Sequence, residues 1–209
     1  MFKKIIYTGV AAAALLASGV AAAAPAMASN GPGQAISAYY WQPNGHALGG
    51  PRPGTADFSA GSLGLMAENA HGQNIAGQTI TINGHMNPSQ VHNSYSGDVG
   101  ALARIWFDGA GGSSAQSPQG YLGQVWWAHP SSAVLDLNST TGSFTLTMTV
   151  DPSAGWSDWN GKDASQNVDL FNGAASHVQQ IGLSFGGQSF FEDGVQGTGA
   201  ITIDTIAVG

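Results

Sequence analysis

With 209 residues, five basic side chains against twelve acidic ones and no cysteine, the chain carries a formal charge of −7. So few cations form no patch that could neutralise phosphates, which excludes nucleic acid and an anionic membrane surface as partners. Without disulfides stability rests on a core, which 43% hydrophobic residues can fill, while 31 glycines and a scarcity of Lys and Glu argue against helices and against charge-rich disorder.

Lys3 and Lys4 precede an apolar stretch from Ile5 to Ala24, and Ala26-Met27-Ala28 supplies the small-x-small pattern of a signal-peptidase site. Residues 1–28 therefore read as a cleaved export signal, which makes the protein secreted, and residues 29–34 as a flexible leader. Cleavage leaves Arg52, Arg104 and Lys162 against the twelve acids. Residues 35–209 are then one domain.

Ala35 to Trp41 reads as a first strand, with Ile36, Ala38 and Tyr40 on one face. After the Gly/Pro-rich loop Pro43 to Gly54, short strands surround Gly61 through Phe58, Leu63 and Leu65. Gln78 to Ile82 alternates cleanly before Asn83-Gly84 reads as a turn, and His85 to Gly97 as loop. In Val99 to Asp108 the odd positions Val99, Ala101, Ala103, Ile105 and Phe107 are apolar, which places Arg104 and Trp106 on the outer face. For the next strand, taking Tyr121, Gly123, Val125 and Trp127 as core leaves Gln124 and Trp126 outward. Ser143 to Val150 alternates most cleanly, with Phe144, Leu146, Met148 and Val150 inward. Trp156 to Lys162 is a tryptophan-bearing loop, and Val168 to Gln180 holds a short helix.

In the last strand the apolar phase slips from Ile201 and Ile203 to Ile206 and Val208, which a bulge near Asp204 and Thr205 would explain. Eight to ten short strands separated by turn signals predict an all-β fold, a two-sheet antiparallel β-sandwich of jelly-roll type.

The order Ile181-Gly182-Leu183-Ser184-Phe185, Phe190-Phe191, then Gly199 through Val208 resembles the end of the galactose-binding-like jelly rolls, among them many secreted carbohydrate-binding modules. The resemblance is clearest over Trp156 to Val208. It implies a sugar ligand, and it implies a structural Ca²⁺ held by an aspartate of the final strand, the position of Asp204. The acidic partner such modules supply near the N-terminus has no counterpart here, since Asp57 is the first acid after the leader.

The residues supply a matching chemistry. Indole faces cover the apolar side of a pyranose while amide, guanidinium and carboxylate groups bind its hydroxyls. The candidate ligand-binding residues are Arg104, Trp106, Gln124 and Trp126 on the outer strand surface, with Trp156, Asp158 and Trp159 from the loop. The competing reading packs these tryptophans under a loop or as a plug at the end of the fold.

No catalytic set emerges. Glu68 and Glu192 are the only glutamates, and neither has a facing carboxylate as glycoside hydrolysis requires. Gly182-Leu183-Ser184-Phe185-Gly186 spells the letters of a nucleophile elbow without the helix that must follow one. The six histidines lack zinc-site spacing. The reading is a secreted, non-catalytic protein that binds a polysaccharide or cell-wall glycan. Its rivals are an extracellular structural or adhesive protein and a small polysaccharide-degrading hydrolase or lyase.

Overall fold

A computed structural model of the chain describes residues 36–41, 47–49, 54–94, 100–109, 125–158, 160–188, 191 and 193–209. Residues 1–28, expected to be an export signal, residues 29–34, expected to be a leader, and the candidates Gln124 and Trp159 lie outside the described residues.

The strands are β1 (Ser37–Trp41), β2 (Ala47–Gly49), β3 (Thr55–Asp57), β4 (Ser62–Gln73), β5 (Thr79–Asn93), β6 (Leu102–Gly109), β7 (Val125–Ala128), β8 (Val134–Asp136), β9 (Gly142–Thr149), β10 (Trp156–Ser157), β11 (Val178–Gly186) and β12 (Val195–Val208). Among the described residues one α-helix, α1 (Val168–Ala175), precedes β11. No helix among the described residues is long and apolar enough to cross a membrane.

The all-β expectation holds, and the strands join in one large antiparallel sheet that curls as a half-barrel. Its order is β10-β7-β6-β11-β4-β12-β5-β9, with β1 and β2 attached at β4, β3 on β12 and β8 on β6. The curl has a local origin. β4 and β12 share a single paired position, Leu63 with Val195, beyond which β11 takes that edge of β4 and β3 takes that edge of β12, while β1 lies along the opposite edge of β4. Strand twist then turns the two halves toward a common core.

That core collects the inward sets expected of β1, β6 and β9, namely Ile36, Ala38 and Tyr40; Ala101, Ala103, Ile105 and Phe107; Phe144, Leu146, Met148 and Val150; α1 adds Phe171, Ala174 and Ala175 while its Leu170 stays exposed. One end is filled by an aromatic cluster. Phe107 meets Trp156 at 5.1 Å and Phe171 at 5.6 Å, and Trp126 meets Phe171 at 5.0 Å, all edge to face. The Trp156 indole also donates Nε1–H to the Thr149 carbonyl at 2.8 Å, tying the outer strand β9 to β10 by a side chain instead of a ladder.

Two expectations along the chain need correction. Asn83-Gly84 does not turn, and residues 85–93 are not loop, because β5 continues to Asn93. Gly84 lies opposite Phe144, and a Cβ there would sit 2.3 Å from the Thr202 carbonyl oxygen and 2.6 Å from Phe144 Cζ. The glycine admits a neighbouring strand and ring, a close-approach role. The bulge in the last strand is present: Ile203 pairs with Gly84 and Thr205 with Asn83, leaving Asp204 without a partner in the ladder.

Candidate functional site

The outer face of the central strands carries a second, smaller apolar layer. Register places Trp106 of β6 opposite Trp127 of β7 on one side and Gly182 of β11 on the other, and Gly182 in turn opposite Ala67 of β4. Trp106, Trp127 and Ala67 form a buried cluster with Tyr39, Leu65, Val125 and Phe191 packed against it. The small residues are what make room. A Cβ on Gly182 would fall 1.9 Å from the Met66 carbonyl oxygen, so β11 and β4 approach closely beside the indole.

The strand-face assignment is therefore right for β6 and reversed for β7. Arg104 and Trp106 do share the outer face, but Trp106 is only 2% exposed. Trp126 is fully buried in the main core, and Trp127 takes the outer position expected of Trp126. Trp156 is likewise fully buried and plugs the core. Asp158 is buried with its Oδ1 accepting the backbone N–H groups of Asn160 and Lys162, both at 2.9 Å, so its carboxylate shapes the turn that follows β10. Trp106, Trp126, Trp127 and Trp156 are all buried, so none of these four presents an open face to solvent in the way the sequence suggested.

Beside this layer, Arg104 lies on the outer face toward β8. Its guanidinium carbon is 4.7 Å from the centre of the Phe191 ring, which also contacts Trp127 at 5.8 Å and His129 at 5.2 Å. Phe191 is held over the sheet from below as well: the Ser184 hydroxyl donates to its carbonyl, and Gly194 N–H donates to the Phe185 carbonyl at 2.9 Å. Ser184 is thus a mid-strand residue with its hydroxyl committed, and no helix follows it.

A groove of about 440 Å³ opens next to Arg104, lined by Leu102, Arg104, His129, Ser131, Val134, Asp136 and Gln188. Pairing of β6 with β8 sets Leu102 opposite Asp136 and Arg104 opposite Val134, so these four side chains project to one face. His129 Nε2 and the Ser157 hydroxyl are 2.6 Å apart. Burial, with a further push from Arg104 and an opposing pull from Asp163, holds the His129 pKa below its ordinary value, so the ring is neutral at pH 7. Burial also lowers the Arg104 pKa from its very high ordinary value, and the group remains a cation. The Ser157–His129 pair lacks the third member of a triad, since no described carboxylate hydrogen-bonds the ring's Nδ1. Glu68 is buried on β4, in phase with the core residues Met66 and Ala70, and does not face the groove.

Asp204 stands elsewhere, exposed on the bulge with its Oδ2 3.1 Å from His85 Nδ1. Calcium takes six to eight oxygen ligands, and the described residues contain no group of three or more acidic, histidine or cysteine side chains that could hold a metal.

Sequence reasoning missed Trp127, His129, Asp136 and Gln188. The signal was available in β7: taking Trp126 and Ala128 as core puts Trp127 outward beside Trp106 and starts the face that leads to His129. No protein-family model matches the chain, no curated protein matches it, and no solved structure matches it.

Proposed function

We propose that the protein is an exported, non-catalytic module that holds a glycan in the groove between Arg104, His129, Asp136 and Gln188. The observation that carries this reading is that Arg104, His129, Asp136, Gln188 and Ser131, residues bearing both hydrogen-bond donors and acceptors, line one open space of about 440 Å³. Ligand sites for small molecules are concavities of roughly 300–1,000 Å³ with a few polar groups that fix orientation, and sugar hydroxyls need both donors and acceptors. The tryptophans support the groove from beneath instead of stacking on the ligand, while Phe191 fixes Arg104. The export signal, the jelly-roll resemblance and the extracellular location belong to the same proposal, and the site requires no calcium.

The test is retention of the purified chain from Ser29 onward on insoluble polysaccharides and a glycan array, with and without EDTA. Wild type is expected to be retained with or without EDTA. The variant carrying His129→Ala and Gln188→Ala is expected to lose retention with little change in melting temperature. Undiminished retention of that variant would refute the site. Burial of Trp106, Trp126 and Trp156 favours one rival, an extracellular structural or adhesive protein whose aromatics are packing alone. Failure of wild type to bind any glycan would favour that rival.

A further inference from the structure

Arg104 is only 7% exposed, on a chain with few cations. Taking a cation out of water costs several kcal/mol unless opposite charge and hydrogen bonds replace the lost hydration. Here the replacement is partial. Its Nε meets no acceptor among the described residues, and the single ion pair between described residues is the remote one of His85 and Asp204. What covers the guanidinium is the Phe191 ring, a contact worth about 0.5–2 kcal/mol. The nearest carboxylate lining the groove, Asp136, sits opposite Leu102 rather than Arg104, and its Oδ1 accepts the Asn138 N–H at 2.9 Å. His129, Ser131 and Gln188 add neutral donors and acceptors around the cation.

A buried arginine that lines a groove and has no counterion among the described residues is complementary to an anion with planar, two-oxygen geometry. We propose that the groove selects an acidic sugar, a uronate whose carboxylate takes Arg104 as its ion partner while its ring hydroxyls meet His129, Ser131 and Gln188. This inference rests on the glycan reading above. The acidic surplus of the chain adds a restriction. Twelve acids against five bases repel a polymer charged at every residue, so the ligand is an isolated uronate on a neutral backbone or at a chain end.

The experiment is titration calorimetry with a xylo-oligosaccharide bearing one glucuronic acid, the same oligosaccharide after reduction of its carboxyl to an alcohol, and polygalacturonate. The acidic oligosaccharide is expected to bind at least tenfold tighter than the reduced one. Polygalacturonate is expected to bind more weakly than the singly charged ligand. In Arg104→Gln the tenfold preference should vanish, and in Arg104→Lys, which keeps the charge without the fork, it should shrink. If Arg104→Gln fails to fold, the wild-type comparison and Arg104→Lys still decide. Equal affinity for the acidic and reduced forms overturns the uronate while leaving the glycan groove standing. Binding of neither form, together with no retention on any array glycan, overturns both.

Discussion

Two buried tryptophans on opposite faces of the same sheet offer a direct test of this architecture, because their indole N–H groups have different fates. Trp156 Nε1 donates to the Thr149 carbonyl at 2.8 Å, whereas Trp106 Nε1 is buried and finds no acceptor among the described residues. Changing either to phenylalanine removes about 40 Å³ of side chain, and at about 24 cal/mol per Å³ of cavity the common cost is about 1 kcal/mol. For Trp156→Phe the lost hydrogen bond adds about 1 kcal/mol, and the weakened ring contacts, edge to face with Phe107 and tilted with Phe171, add up to about 1 more. The total is about 2–3 kcal/mol. For Trp106→Phe the substitution instead removes an unsatisfied buried donor, a relief of about 1–3 kcal/mol that offsets the cavity. Its net effect is then within about 1 kcal/mol of zero. Urea unfolding of the two variants and wild type, read as midpoint shifts at constant slope, measures the difference. Equal losses for the two, or a greater loss for Trp106→Phe, would refute the assignment of their hydrogen bonds.

Gly84→Ala tests the close approach of β5, β9 and β12: its Cβ would meet the Thr202 carbonyl at 2.3 Å, and overpacking of about 3 kcal/mol should lower the melting temperature by roughly 6–12 °C in a chain of this size. A drop under about 2 °C would mean that the strand does not pass Phe144 as described. Burial pushes the Asp108 carboxyl up to about 6, so folding favours its protonated form, and its contribution to stability is present below pH 4 and lost as pH rises through 6. With its partial exposure discounted, the loss is roughly 1–2 kcal/mol. Unfolding midpoints at pH 4.5 and 7 should show it as a decline in wild type relative to Asp108→Asn, and parallel profiles for the two proteins would contradict it.

How far the sequence could be read depended on how many faces of a strand are wet. In β9 the exposed Ser143, Thr145 and Thr149 alternate with the buried Phe144, Leu146 and Met148, so one face is in water and period two gives the core directly. The bulge in β12 was legible for the same reason, since one inserted residue shifts the apolar phase where the strand has one buried side. β7 offers no such contrast. Trp126 and Trp127 are adjacent, both are buried, and each belongs to a different layer, so alternation could not choose between them. β5 was shortened because Asn-Gly is the strongest local turn signal, and only tertiary contact with Phe144 shows that this glycine serves packing. Of the candidate site, Arg104 remains at a groove, while Asp158 and the described tryptophans serve turn and core. The positions of His129, Asp136 and Gln188 come from pairing and loop placement that no local pattern encodes.

The second apolar layer also limits how the protein can meet a ligand. Ile181 through Gly186 of β11 are all buried, because one side faces the main core and the other lies under the layer of Trp106, Trp127 and Phe191. A flat sheet surface able to lie along an extended or crystalline polysaccharide is thereby removed from the center of the fold. What remains is the place beside that cover, where Arg104 meets Leu102, Val134 and Asp136 and the groove begins. A concavity of about 440 Å³ accommodates one or two sugar rings, so the glycan recognition proposed there would be of a chain end or a single substituent. Recognition so local places its specificity in few contacts. The charge of Arg104, half-hidden by Phe191 and unmatched by a described carboxylate, is the contact with the most to gain from the right ligand.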